Sequence, residues 1–177
     1  FGGATSVANA DGIPDLLDQT AIYAGTAAPL AGPRPLASVF MGANDLLNAV
    51  STYAGQSDAI QQIGAAAVAA ANAVGAGVNS LAFQGIRDFA VWNLPDIGQT
   101  PALALLSPSG VGALGSFATA LFNAQLDAVI AGLNASGLNV TKIDTNQLFA
   151  DVRADPAAFG LTERDIRMYV SETEVSV

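Results

Sequence analysis

The chain has 177 residues and contains no cysteine and no histidine. The first absence removes disulfides, thiolate nucleophiles and Cys-ligated zinc. The second removes imidazole, which is both the usual base near neutral pH and the commonest metal ligand. Any catalytic triad that needs histidine is therefore incomplete within these residues. A cysteine-free chain suits an exported bacterial protein and also many cytoplasmic ones, so this absence fixes no compartment. Positive charge is scarce as well. Arg34, Arg87, Lys142, Arg153, Arg164 and Arg167 are the only cations, they never cluster, and against 15 acidic residues they leave a net charge of −9. Nucleic acid and anionic membrane surfaces both need a basic patch, so neither is an expected partner. No Asp-x-Asp-x-Asp-Gly loop occurs, which leaves a calcium site without support. Neither a metal nor an organic cofactor is expected.

What is present is apolar: 51% of residues are hydrophobic and 12% charged, too rich in core formers for a disordered tail. The length fits one domain on a prior of roughly 150 residues each. The chain starts at Phe1, with no charged segment leading into an apolar one, and reads as a processed chain or a piece of a longer one. Uncharged stretches at 59–86 and 97–126 are long enough to raise the question of a membrane span. Gln61, Gln62, Asn72, Asn79 and Gln84 interrupt the first, and Pro101, Pro108 and several glycines the second, so no transmembrane segment is expected.

Three short runs, 36–41, 89–92 and 138–143, read as buried parallel strands, with Trp92 expected inside. Helical patterns separate them. One helix is expected from Pro14 to about Tyr23, one over 57–81 with Ser57 as N-cap, and one over 116–133 ended by Gly137. The order is β-α-β-α-β with a helix before and another after. Residues 163–177 differ, carrying two of the six cations and all three glutamates, with Thr173, Val175 and Val177 alternating like an exposed strand.

Several groups invite a chemical reading. Ser107 and Ser109 stand in a Pro-containing turn with no base at hand, and read as solvated loop residues. Asp15 with Asp18, and Asp151 with Asp155, share helical faces and read as solvated surfaces rather than acid/base pairs. Gly110-Val111-Gly112-Ala113-Leu114-Gly115 is a formal Gly-x-Gly-x-x-Gly, and Asp144 ends the next strand as a ribose-binding acid would. Against a dinucleotide site, Pro108 and Ser109 separate Leu106 from the first glycine, and Asp144 lies 29 residues past Gly115. The run reads better as a Gly-rich loop entering a helix. Finally, Gly42-Ala43-Asn44-Asp45 follows the first strand at the end where open parallel sheets hold ligands. Two roles are open to Asn44: donating its amide to charge on a substrate oxygen, or capping the following helix.

Around this point the chain resembles the GDSL esterases and lipases, also called SGNH hydrolases. The stretches that carry the resemblance are Phe1-Gly2-Gly3-Ala4-Thr5, Gly42-Ala43-Asn44-Asp45-Leu46-Leu47, and Asn93-Leu94-Pro95-Asp96-Ile97-Gly98-Gln99-Thr100-Pro101. Phe122-Asn123-Ala124-Gln125-Leu126 and Asp155-Pro156-Ala157-Ala158-Phe159-Gly160-Leu161 add to it, in the manner of secreted and autotransporter-linked bacterial esterases. The resemblance implies a three-layer α/β/α sandwich with a parallel sheet, and a serine that attacks a carboxylic ester to form an acyl-enzyme. It implies a small-molecule or lipid ester as substrate, a secreted or cell-surface location, and an autotransporter barrel as a possible C-terminal neighbour. Carried over by position, Asn44 matches the oxyanion asparagine and Gly3 the oxyanion glycine, with Gly2 one residue off. Asp45 is expected to face away and hold the turn, since a carboxylate would repel an oxyanion.

The family's Gly-Asp-Ser and Asp-x-x-His motifs are both missing. Residues 1–162 therefore read as the central part of one such domain, incomplete at both ends, followed by a divergent tail over 163–177. The chain alone is expected to be inactive. A non-catalytic remnant serving as a binding or structural domain is the alternative, with a dinucleotide-binding fold a weaker third.

Overall fold

Parallel strands cannot be joined by tight turns; each pair needs a crossover of a dozen or more residues, and this chain supplies two. The computed structural model describes residues 3–26, 32–100, 103 and 110–161. In it β1 (Leu36–Val39), β2 (Asp88–Trp92) and β3 (Asn139–Ile143) form one parallel sheet in the order β1-β2-β3. Val39 lies beside Val91, and Phe89 beside Val140. The helices are α1 (Leu16–Thr26), α2 (Ala43–Tyr53), α3 (Ala59–Phe83), α4 (Val111–Ala135) and α5 (Thr145–Ala154), with 3₁₀ turns at Ile97–Gln99 and Pro156–Phe159. This is an α/β fold on a parallel sheet, the class expected from the sequence.

Successive right-handed crossovers that step the same way across a sheet put their helices on one face. The core is built on that plan. Val39, Phe89, Val91 and Val140 from the strands meet Ile63, Ala67, Ala70, Val74 and Val78 from α3 and Ala118, Phe122 and Leu126 from α4. Small residues let α3 and α4 lie side by side: a Cβ at Gly75 would stand 2.7 Å from Val129 Cγ1. Both helices are long and apolar enough to cross a membrane by length and composition. Their apolar stripes are buried against the sheet and against each other.

Among the described residues no helix covers the other face of the sheet. Leu36 is 67% and Phe40 53% exposed, and Ser38, Asn139 and Thr141 are exposed with them. Trp92 is on this side and only half-buried, its Nε1 donating to Ser38 Oγ at 2.8 Å and its ring 5.8 Å from that of Phe40. The strands thus alternate in burial, with Ser38, Asn139 and Thr141 on the exposed side, and the expectation of a buried Trp92 is corrected. β1 and β3 are the two edge strands among the described residues, and a groove of about 770 Å³ separates β1 from Leu16, Thr20 and Tyr23 of α1.

Boundaries differ from the sequence reading for local reasons. α1 starts at Leu16 rather than Pro14, the Asp15 carbonyl accepting from Gln19 N at 2.9 Å, while the Leu16 N–H, unpaired within the helix, donates to the Thr5 carbonyl. Asp58, not Ser57, precedes α3. α4 begins at Val111, so the Gly-rich run expected as a loop is its first turns. Gly112 and Gly115 serve contact with the Ile97–Gln99 turn: a Cβ on Gly98 would collide with the Gly112 carbonyl oxygen and lie 2.5 Å from Ser116 N.

Gly98→Ala is accordingly expected to cost about 1–3 kcal/mol, since backbone on both sides leaves no flexible side chain to yield. Gly132→Ala, whose Cβ would meet nothing within 4 Å on the same helix, is expected to stabilise by about 0.5–1 kcal/mol. Urea denaturation of the pair checks both signs. The open face and free edge make a second expectation: sedimentation should show concentration-dependent association that Leu36→Lys with Phe40→Lys weakens.

Candidate active site

In a parallel sheet all strands end on one side, so the residues leaving β1, β2 and β3 are neighbours. After β1 the chain runs through Phe40 and Met41 to Gly42, which adopts φ +115°. A side chain there would be strained by that φ and would also meet the Phe122 ring at 2.5 Å. Gly42 is the N-cap of α2 with no side-chain cap, and its carbonyl accepts from Leu46 N at 3.1 Å. Asn44 is therefore not the helix cap. Its Nδ2 reaches away from α2 and donates to the Ala4 carbonyl at 2.7 Å.

Asp45 reaches the same way. Its Oδ2 accepts from Ser6 N at 2.7 Å and its Oδ1 from Val7 N at 3.0 Å. The expectation that Asp45 faces away and holds its own turn is corrected: it binds a segment 38 and 39 residues earlier. That segment, residues 3–9, begins with the exposed Gly3 at φ +85° and then buries Ala4, Thr5 and Ser6. Asn44 is thus bonded to Ala4, the residue that follows Gly3 in the chain. Gly2 lies outside the described residues.

A second carboxylate holds the loop from below. Asp15, 1% exposed, accepts from Thr5 N at 2.9 Å, Thr5 Oγ1 at 2.6 Å and Asn9 N at 2.7 Å. The Thr5 hydroxyl foremost, then the Thr5 and Asn9 amides, hold its carboxyl below the ordinary range against the opposing effect of burial. Asp15 and Asp18 are thus no solvated pair: Asp18 Oδ2 accepts from Asp15 N at 3.1 Å, while the Asp15 carboxylate is in the core. Asp151 and Asp155 are exposed, and Asp155 accepts from Ala158 N at 3.2 Å.

Beyond β2, an asparagine network that sequence reasoning did not single out fixes residues 93–99. Buried Asn93 donates to Asp144 Oδ1 at 2.8 Å, and its Oδ1 accepts from Thr145 Oγ1 at 2.9 Å and Asn146 N at 3.0 Å. Asn123 of α4 brackets Leu94, accepting from its N–H at 2.9 Å and donating to its carbonyl at 2.8 Å. Asp96 accepts from Gly98 N at 2.9 Å and Ser116 Oγ at 2.8 Å. Two asparagines at the end of an apolar strand and amid an apolar helix were the available signal, since such groups are buried only when bonded. Asp144 is held below the ordinary range by the Gln147 amide first and then by Asn93. It caps α5, and with Gly112 and Gly115 inside α4 the dinucleotide reading loses both its loop and its acid. Ser107 and Ser109 lie outside the described residues. Among those described, no group of three or more acidic side chains could hold a metal ion.

The Asp15 folded value is depressed, so its stabilising contribution is complete above the unfolded aspartate pKa of about 3.9 and disappears as pH falls through the lower folded value. Backbone resonances of Thr5 and Asn9 are therefore expected to move together in an acid titration, below pH about 3.9. Asp15→Asn should remove that titration.

The family model described as GDSL-like Lipase/Acylhydrolase matches residues 2–165, and no curated protein matches the chain. The matched span takes in the Gly3 loop, the Gly42 turn with Asn44 and Asp45, and the Asn93–Asp96 network. By this match over most of its length the chain belongs to the GDSL-like lipase/acylhydrolase family, whose members are hydrolases.

Proposed function

We propose that this chain forms the oxyanion-binding part of a serine-type carboxylic ester hydrolase, with the nucleophile and the base supplied by residues outside these 177. The observation that supports the reading is the Asn44 Nδ2 bond to the carbonyl of Ala4, the residue after Gly3, made from the turn that follows β1. A side-chain amide has two hydrogens. With one committed to Ala4, the other is available to a substrate carbonyl oxygen, which gains charge as the ester becomes tetrahedral. The Gly3 N–H is the second donor. The site stands at the start of α2, whose unpaired N–H groups and positive dipole end favour negative charge. Such preorganised donors act on charge that exists only in the transition state.

The substrate class is a neutral carboxylic ester, opened by attack at the acyl carbon and released as acid after hydrolysis of the acyl-enzyme. No histidine occurs in the chain. That observation favours, for these residues by themselves, the second reading: a domain of this fold that binds without turning over.

The 177-residue chain is expected to release no p-nitrophenol from short-chain esters above background; turnover sensitive to a serine-directed inhibitor would mean that the nucleophile is internal. In a longer form carrying both missing motifs, Asn44→Ala should lower kcat by about 10²- to 10³-fold with little change in KM. A folded variant with unchanged kcat would overturn the assignment.

A further inference from the structure

We propose that Asp45 is a positioning residue for this site: its carboxylate holds residues 3–7 in register with α2, so that Gly3 and the Asn44 amide are presented together. The inference rests on the reading of Asn44 and Gly3 as the oxyanion donors and deepens it. Three facts carry it. Both Asp45 oxygens are engaged by successive backbone amides, Ser6 N at 2.7 Å and Val7 N at 3.0 Å. The residue before it, Asn44, bonds the same segment at Ala4. No side chain caps α2, so Asp45 is not occupied with its own helix.

The geometry assigns different work to the two carboxylates on the loop. Asp15 bonds Thr5 and Asn9 and ties the loop to the start of α1. It fixes the loop to the scaffold without referring it to α2. Asp45 and Asn44 are adjacent residues on the first turn of α2 and grip the loop at Ala4, Ser6 and Val7. A shift of the loop along α2 would have to break the Asp45 pair and the Asn44 bond together. The dipoles of the two N–H donors also offset part of the field of the carboxylate, which would otherwise oppose a nearby oxyanion. A carboxylate beside an oxyanion site is thereby compatible with it, because its lone pairs are aimed at the loop.

Amide exchange and NMR on the 177-residue chain test this without any turnover. In Asp45→Ala, exchange at Ser6 and Val7 should quicken roughly 10- to 100-fold, as loss of hydrogen bonds to a charged group requires, while the interior amides of α2 keep their protection. The Gly3 amide and the Asn44 side-chain amide should both shift, which a local role in α2 would not produce. Asp45→Asn keeps the shape and one acceptor, and should give the same shifts at reduced size should the alanine variant fail to fold. Unchanged Gly3 and Asn44 signals in either folded variant would overturn the proposal. In a longer, ester-hydrolysing form, Asp45→Asn should lower kcat by up to about 10²-fold with KM little changed. Shifts at Gly3 and Asn44 with no loss of kcat would leave the latch standing and sink the oxyanion reading instead.

Discussion

Phe122 lies against Gly42 so closely that no side chain fits between them, and the whole candidate site is referenced to that contact. Phe122 is fully buried in the middle of α4, and α4 is anchored on the sheet through Ala118 and Leu126. Because the Gly42 backbone rests on a ring in the rigid core, the point where the chain leaves β1 and enters α2 has no freedom to drift. Close-packed interiors transmit such constraints because they compress little. Asn44 and Asp45 follow within one turn, so their side chains leave the scaffold from a fixed origin. The same helix, one residue on, uses Asn123 to fix Leu94 after β2. One helix thus sets the positions of two strand ends.

Around that apolar reference the strand ends are held by polar side chains bonding to backbone. Asn93, Asn123, Asp96, Asp15 and Asp45 all accept from main-chain N–H groups, and the loops they fix would otherwise leave those groups unpaired in part-buried surroundings. Charged acceptors make shorter and stronger bonds than neutral ones, which suits a loop that has no regular structure of its own. Burying Asp15 is costly unless it is fully bonded, and three donors meet that demand. The acidic composition of the chain is in part spent here rather than on the surface, and no cation is needed to neutralise it.

Much of the scaffold was legible. Short runs rich in strand-forming residues marked all three strands within two residues, because strand existence follows from local composition, and the Ala-rich stripes marked α3 and most of α4. The start of α4 was not legible, since Gly112 and Gly115 look like loop glycines until Gly98 is seen packed against them. Helix α2 was hidden for a related reason: its first turn carries the polar Asn44 and Asp45, whose partners sit 38 to 40 residues away and leave no trace in local periodicity. A motif drew attention to Asn44, whereas the partners of Asp45 stayed hidden, because charge repulsion was weighed without the two loop amides that its carboxylate accepts from. Asp15 failed on the same ground, its helical spacing to Asp18 saying nothing of Thr5 and Asn9. Non-local bonds to backbone are the class of interaction that spacing cannot reveal.

The one-sided sheet bears on how the site would work. Strands in the order β1-β2-β3 with right-handed crossovers must place both crossover helices on the same face. Covering the second face takes connections that step the other way from β1, which like β3 has an outer edge that no described strand pairs with. Leu36 and Phe40, the most exposed apolar side chains of that region, point to the face that such connections would cover. An element pairing with the free edge of β1 would also end beside Gly3 and Asn44, since parallel strands terminate together. Any strand pairing in parallel with β1 would therefore bring its last residues to the turn that Gly42 and Asp45 hold in place.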